Sequence, residues 1–535
     1  MIAPNDATRA QILAARPNVS TWVGANAGSG KTRVLTDRVA RLLLNGVEPQ
    51  KILCLTYTKA AASEMQNRLF ARLGSWAMLS DDALRQELMS LDQDQILSPT
   101  DLKKARTLFA RAIETPGGLK IQTIHSFCAS ILRRFPLEAQ VSPNFSEMDD
   151  RAGALLRAEI IRDMARGPAR RLMETVAARL SGNDFDDFTK ALVTHRAGIP
   201  GGQTLRSLAP RFGLPPEARP EDALHIAFIG GETRLLKDLA EQLAKQSKSY
   251  QADAEVIAAI PRDPLTLASL HALIAFFTDS KGALKLGRYP TTNHKAARAA
   301  VADTQDEIDA LIERLSLARE YLSRIAVWHA TADLHAFAEP FLRAYQDRKL
   351  LRGWLDFDDL IVKARDLLSR SDVASWVLYR LDGGIDHILV DEAQDTNPLQ
   401  WQVIDLLSQE FTSGEGARPN QQRTMFVVGD KKQSIYSFQG ADPREFDRMR
   451  ERFSERLAPS GAPLHVTGLR FSFRSSARVL SLVDRAFDGR ESSGFEPDAA
   501  HIAFHADLPG RVDLWPPETP ADKQGPPAHA TMDWV

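Results

Sequence analysis

Apolar residues occur along the chain both in short runs and in longer helical patterns, which together predict a mixed α/β fold. The short runs are rich in β-branched residues and are bounded by glycine or polar residues, as strands are. Six of them lie at residues 19–23, 52–57, 121–124, 387–390, 425–428 and 464–466. Several are followed by helical stretches, such as residues 32–44 and 60–73. This alternation is typical of a parallel sheet that is covered by helices.

The predicted strands form two groups, one before about residue 130 and one after about residue 385. Between the groups, apolar residues recur three and four positions apart, as they do at Ile308, Leu311, Ile312 and Leu315. That spacing predicts helices. We therefore interpret the middle of the chain as a helical insertion in an α/β domain. Its basic stretch at residues 281–298 predicts a loop, which is either solvated or in contact with nucleic acid.

Composition narrows the class of protein. The chain has 535 residues, of which 44% are hydrophobic, so it is long enough for more than one subdomain. Lys and Arg number 67 and Asp and Glu 69, so any contact with a polyanion must come from a local patch. The sequence has no apolar run of about 18 residues and no signal peptide, so we expect a cytoplasmic protein without membrane contact. Cys54 and Cys128 lie in separate apolar segments, which predicts buried thiols.

A glycine-rich segment follows the first predicted strand and opens a helix. Its glycines let backbone N–H groups turn toward phosphate oxygens, Lys31 supplies positive charge, and the Thr32 hydroxyl can bind Mg²⁺. Ala25 stands where the strict pattern has glycine, and the alternative is a glycine-rich turn before an ordinary helix. We predict that this segment binds ATP with Mg²⁺. The candidate nucleotide-binding residues are Ala25, Asn26, Ala27, Gly28, Ser29, Gly30, Lys31, Thr32 and Arg33.

A second segment supplies carboxylates at the end of the strand predicted at residues 387–390. Asp391 follows that strand and can bind Mg²⁺, while Glu392 can orient and deprotonate an attacking water. The alternative is an acidic turn before a helix, with Asp395 as the helix cap. Together with Lys31, this segment predicts a site that hydrolyses a magnesium nucleotide.

Six motifs in this order resemble those of UvrD/Rep-like superfamily 1 DNA helicases, and they lie at residues 25–32, 56–65, 123–127, 391–395, 428–436 and 473–475. The form of the glycine-rich loop and the segment at residues 118–145 resemble the AddA subunits of bacterial helicase-nucleases in particular. The resemblance implies an ATP-dependent 3′–5′ DNA helicase that acts in double-strand break repair by homologous recombination. It also implies single-stranded or duplex-end DNA as the substrate and an AddB-like partner in a heterodimer.

The resemblance implies roles around the nucleotide. Gln11 matches the glutamine that reads the adenine edge, and Phe473 replaces the usual tyrosine that stacks on adenine. Arg474 matches the arginine that reaches the γ-phosphate, and Gln433 the residue that senses it. The predicted catalytic residues are therefore Lys31, Glu392, Gln433 and Arg474. The alternatives are surface positions for Gln11 and Arg474.

The resemblance also implies DNA contacts. Aromatic rings that stack on unpaired bases are matched by Tyr57, Tyr436 and Phe438. Phosphate contacts are matched by Thr123, His125 and Ser126. The alternatives are core packing for Tyr57 and Phe438 and a hydrogen-bonded buried imidazole for His125. Gln439 stands where the family often has arginine, so we expect weaker phosphate binding there.

The resemblance implies an order of domains. Residues 1–148 and 351–468 match a RecA-like P-loop NTPase domain, 1A, which is interrupted by a helical domain, 1B, at residues 149–350. Residues 469–535 match the start of a second RecA-like domain, 2A, which we expect to be truncated, with a weakly ordered tail from residue 509. We therefore expect a chain that binds ATP but hydrolyses it poorly. The alternative to a motor is a nucleotide- and DNA-binding subunit without motor activity.

Overall fold

The computed structural model divides the chain into two compact units, Met1–Glu147 with Leu355–Val535, and Met148–Trp354. The second unit is the helical region between the two groups of strands. The identification of these units with particular helicase domains stays a prediction. The structure describes residues 6–92, 97–115, 118–180, 184–291, 294–370, 373–374, 376–377, 380, 385–411, 422–437, 440–489 and 500–515.

A six-stranded parallel sheet forms the centre of the first unit. The strands of the described chain are β1 Thr21–Ala25, β2 Ile52–Thr56, β3 Lys120–Thr123, β4 Ser146–Glu147, β5 Trp354–Leu355, β6 His387–Val390, β7 Thr424–Gly429, β8 His465–Leu469, β9 Phe471–Ser472 and β10 Ile502–Ala503. The order in the large sheet is β3-β2-β6-β7-β1-β8. All six predicted strands and the parallel α/β class are confirmed, and strand ends differ from the prediction by at most three residues.

Helices cover both faces of this sheet. Those of the first unit are Asp6–Ala14, Lys31–Leu44, Lys59–Met78, Asp81–Leu91, Pro99–Glu114, Ile124–Arg134, Phe357–Ser369, Pro398–Ser408, Pro443–Leu457 and Ala477–Ala486. Those of the second unit are Asp150–Arg166, Arg170–Ala177, Asp184–Thr194, Leu205–Leu208, Asp222–Ala227, Glu232–Leu243, Lys248–Ala259, Leu267–Phe277, Lys295–Ala300 and Gln305–Arg352. None of the helices in these described stretches combines the length and apolar character that crossing a membrane requires.

Alternate residues of each strand pack into different cores, because successive side chains of a strand point to opposite faces. Trp22 joins the core on one face, where its ring stacks on Trp401 with centroids 5.8 Å apart. The next residue, Val23, joins the core on the other face. Cys54 and Cys128 are fully buried thiols, as predicted, and burial raises the pKa of both.

The second unit is built around helix Gln305–Arg352. The apolar residues that predicted this helix, Ile308, Leu311, Ile312 and Leu315, are at most 1% exposed and pack in its core. In the basic stretch at residues 281–298, the Nζ of Lys285 lies over the rings of Phe276 and Tyr289. The prediction of a loop over that whole stretch is wrong at its end, where helix Lys295–Ala300 begins.

Replacing Trp401 by alanine is expected to lower the free energy of unfolding by about 3–5 kcal/mol, because the ring is 1% exposed and its removal leaves a cavity. Urea unfolding followed by circular dichroism checks this. Trp515→Ala is the matched control, since that ring is 84% exposed and its loss should change the free energy by less than about 0.5 kcal/mol. Equal unfolding midpoints for Trp401→Ala and the wild type would contradict the packing.

Candidate active site

The glycine-rich loop joins the end of β1 to the helix that begins at Lys31. Gly28 and Gly30 have positive φ angles of 72° and 87°, a region that glycine enters without strain. A Cβ atom at Gly30 would lie 2.7 Å from Nε2 of Gln11, and one at Gly28 would lie 2.8 Å from Cβ of Arg474. Conformation therefore requires both glycines, and at Gly28 the Cβ atom of Arg474 also leaves no space for a side chain.

Alanine at the first position of the loop costs no backbone strain. Ala25 is the last residue of β1 and does not have a positive φ, so a methyl group is tolerated there. Further along, Asn26 and Ala27 lead to Ser29, whose side chain is buried. Arg33 is exposed, and its Nε lies 3.8 Å from a carboxylate oxygen of Asp37 one turn along the same helix.

Lys31 and Glu392 converge, although they are 361 residues apart in sequence. The Nζ of Lys31 donates to Oε2 of Glu392 at 2.6 Å. The contact arises because β1 and β6 both pair in parallel with β7, so their carboxyl ends lie at the same edge of the sheet. Glu392 has φ 47° and ψ 46°, a left-handed conformation that costs a non-glycine residue about 1–3 kcal/mol. The fold thus holds Glu392 in a strained backbone conformation beside the glycine-rich loop.

Several carboxyl groups lie close together at this edge. Asp391 is 6% exposed, and burial, followed by repulsion from Glu392, raises its pKa to about 6. Burial and the charge of Glu392 likewise raise the pKa of Asp395 to about 6. Lys31 lowers both pKa values. Any further cation close to these carboxylates would lower them too.

The sequence motifs gave no role to Gln394, but its side chain joins two of them. Its Nε2 donates to Oε2 of Glu392 at 2.9 Å and to Oδ2 of Asp395 at 3.1 Å. Its Oε1 accepts from the backbone N–H of Asp430 at 2.8 Å. Asp430 in turn accepts from Nε2 of Gln433 at 2.7 Å. The only sequence signal for Gln394 was that it is a polar residue between Glu392 and Asp395.

Hydrogen bonds of Asn26 join the glycine-rich loop to the turn after β7. The side chain of Asn26 accepts a hydrogen bond from Nζ of Lys432 and donates one to the carbonyl of Arg470 at 3.4 Å. The sequence pattern gave Asn26 a place in the loop but no role to Lys432. This contact makes the position of the turn depend on the position of the loop.

Gln11 and Phe473 line one small cavity beside the loop, together with Ala7, Ala10 and Ser29. Gln11 is 4% exposed and donates from Nε2 to the carbonyl of Ser29 at 2.9 Å, so it is not a surface residue. The backbone N–H of Phe473 donates to the carbonyl of Gly28 at 2.8 Å. The next residue, Arg474, is exposed at the same turn.

The rings of Tyr57 and Tyr436 lie against each other, with centroids 4.5 Å apart and an interplanar angle of 39°. Burial, together with the charge of Asp395, raises the pKa of Tyr57 to about 12. The candidate stacking residues are thereby brought together next to the acidic edge. The third, Phe438, and its neighbour Gln439 lie outside the described residues.

Thr123, His125 and Ser126 lie at the start of helix Ile124–Arg134. Thr123 is in register with Thr56, the residue before Tyr57, so this group lies at the same edge of the sheet. The Oγ1 of Thr123 accepts from the backbone N–H of Ser126 at 3.2 Å and caps the helix. Burial lowers the pKa of His125, which favours the neutral imidazole.

Asp391→Asn is expected to stabilise the protein at pH 7.5, by up to about 3 kcal/mol, because it removes a buried charge. The folded chain binds the Asp391 proton more tightly than the unfolded chain, so this carboxyl group costs stability as the pH rises from about 4 through about 6. The difference between variant and wild type should therefore shrink at pH 5.

Melting temperatures at both pH values check this prediction. Asp82→Asn, at an exposed position, is the control and should change the melting temperature much less than Asp391→Asn does at pH 7.5. A variant that is less stable than the wild type at pH 7.5 would contradict the prediction.

Comparisons with known proteins agree with the motifs. The family model of the UvrD/REP helicase N-terminal domain matches residues 5–454. Curated relatives are named as the A subunits of ATP-dependent helicase/nucleases. The one from Pediococcus pentosaceus is 26% identical over 471 residues, which cover 81% of this chain and 35% of the relative. The one from Enterococcus faecalis is 28% identical, over 79% and 34% respectively, and the one from Listeria monocytogenes 25%, over 92% and 40%.

This chain therefore spans between about a third and two fifths of the length of these relatives. The predicted resemblance to UvrD/Rep-like helicases, and to helicase-nuclease A subunits among them, is confirmed. The match covers most of the chain and includes both the glycine-rich loop with Lys31 and the segment with Glu392. The chain belongs to the UvrD/REP helicase N-terminal domain family.

Proposed function

We propose that this chain is the ATP-dependent motor portion of a 3′–5′ DNA helicase that processes DNA ends in double-strand break repair by homologous recombination. The observation that carries the proposal is the 2.6 Å contact between Lys31 and Glu392, which unites the phosphate loop with a candidate general base. Family membership supports the activity, and the direction of movement rests on the resemblance alone.

Nucleotide binding would change the partners of Lys31. A terminal phosphate of ATP carries more charge than one carboxylate, so the ammonium group would turn from Glu392 toward the phosphate oxygens. Glu392, released from the ion pair, would then orient and deprotonate the attacking water. Arg474 would stabilise charge on the γ-phosphate, while Gln11 and Phe473 would hold the adenine in the cavity that they line.

The site fits a magnesium nucleotide. The Oγ of Ser29 is buried and has no hydrogen-bond partner among the described residues, and a phosphate oxygen would satisfy it. Mg²⁺ in such sites takes only one or two protein ligands, which here would be Asp391 and Thr32. Bound Mg²⁺ neutralises charge on the β- and γ-phosphates.

The link from nucleotide to DNA would run through Gln394. Its hydrogen bonds tie Glu392 to Asp430, and Asp430 is tied to Gln433. Gln433 is three residues from Tyr436, a candidate base-stacking ring. A shift of Glu392 on ATP binding would therefore reach the ring. Stacking suits a motor because every base has a π-face.

We further propose a partner protein of the AddB type. The names of the relatives describe each of them as one of the subunits of a helicase/nuclease, which supports a heterodimer. Single-stranded DNA or a duplex end would be the substrate, as for a helicase that works at breaks.

Lys31→Ala is expected to lower ATP hydrolysis by at least about 100-fold, because the variant loses the cation at the phosphates. ATP turnover measured with and without single-stranded DNA checks this. Lys237→Ala, an exposed lysine of the second unit, is the control and should not change turnover. DNA-stimulated hydrolysis that survives in Lys31→Ala would contradict the proposal. Lys31-dependent ATP binding without turnover would favour a nucleotide- and DNA-binding subunit without motor activity.

Tyr436→Ala is expected to weaken binding of a labelled single-stranded oligonucleotide by about 5- to 150-fold, since stacking contributes about 1–3 kcal/mol per base. Fluorescence anisotropy measures the dissociation constant. Tyr436→Phe is the matched control, because stacking needs only the ring. If both variants bind DNA like the wild type, Tyr436 does not contact bases.

A further inference from the structure

The ring of Phe504 packs on the ring of Phe473, with centroids 4.4 Å apart and an interplanar angle of 37°. Strand β10 brings it there by pairing in parallel with β9. The backbone N–H of Phe504 continues this pairing by donating to the carbonyl of Ser472 at 2.9 Å. Neighbouring strands lie about 4.8 Å apart, so residues that are opposite each other bring their side chains into contact.

Phe473 has neighbours besides Phe504. It lines the small cavity that Gln11 and Ser29 also line. Phe504 packs on the ring of Phe473 but does not belong to the described lining of this cavity. A base held in the cavity would therefore contact Phe473 and not Phe504.

Hydrogen bonds hold Phe473 and the strand that leads to Phe504 in place. On the loop side, the backbone N–H of Phe473 is held by the carbonyl of Gly28. On the other side, Nδ1 of His501 lies 2.6 Å from Oδ1 of Asp484, and its backbone N–H donates to the other oxygen of that carboxylate at 3.2 Å. His501 stands next to the start of β10, so the pair anchors the strand that carries Phe504.

We propose that Phe504 is a positioning residue for base recognition: it holds the Phe473 ring in the orientation on which the nucleotide base stacks, without touching the nucleotide itself. This inference rests on the proposed function. An unsupported phenylalanine side chain must lose rotamer freedom each time a base binds, and the packed ring has already lost it. The phosphates are held elsewhere, by Lys31 and the loop, so the support acts on the base alone.

Titration calorimetry of the 535-residue chain with ATP and with inorganic tripolyphosphate tests this. Phe504→Leu is expected to raise the dissociation constant for ATP by about two- to tenfold, as the loss of one aromatic pair predicts, and to leave that for tripolyphosphate unchanged. Phe504→Tyr keeps the ring and should bind ATP like the wild type. Phe70→Leu, in a ring pair with Phe109 on another part of the first unit, is the matched control and should change neither.

Unchanged ATP binding in Phe504→Leu would overturn the inference. Equal weakening for ATP and tripolyphosphate would also overturn it, because the residue would then act on the phosphate loop and not on the base. Failure of the wild type to bind ATP, or binding that Lys31→Ala does not weaken, would instead overturn the proposed function.

Discussion

The ion pair between Lys31 and Glu392 depends on parallel strand pairing, and the same pairing positions the other residues of the site. A parallel sheet collects the carboxyl ends of its strands at one edge. The loop after β1 and the acids after β6 therefore meet there, with only β7 between them. Were either strand reversed, the ammonium and the carboxylate would lie at opposite edges.

Groups that lower the stability of the first unit lie together at the same edge of the sheet. Asp391 and Asp395 are ionisable groups whose pKa values are raised by burial and by the charge of Glu392. Glu392 also adopts a strained backbone conformation. A strained backbone and buried ionisable groups persist where the surrounding structure holds them in place. Here that structure is the fully buried strands β6 and β7. The fold thus keeps a strained residue and two buried carboxyl groups together at one edge of the sheet.

Hydrogen bonds join the parts of the site across this edge. Gln394 links Glu392 to the turn after β7, and Lys432 links this turn to Asn26 in the glycine-rich loop. The backbone of Phe473 is hydrogen-bonded to the same loop at Gly28. The groups proposed to hold the base and the phosphates are therefore connected by direct contacts.

Local sequence determined the strands, the helices and the loop, because periodicity and glycine placement report on burial and backbone conformation within a few residues. All six strands were predicted, but the stretch at residues 281–298 was predicted as loop to its end although helix Lys295–Ala300 begins within it. Local patterns therefore lose accuracy at the ends of elements. Tertiary structure alone decided the hydrogen bonds of Gln394, the pairing of Lys432 with Asn26 and the contact of Phe504 with Phe473. These contacts join segments up to about 400 residues apart, and strand order, which no local pattern records, brings them together.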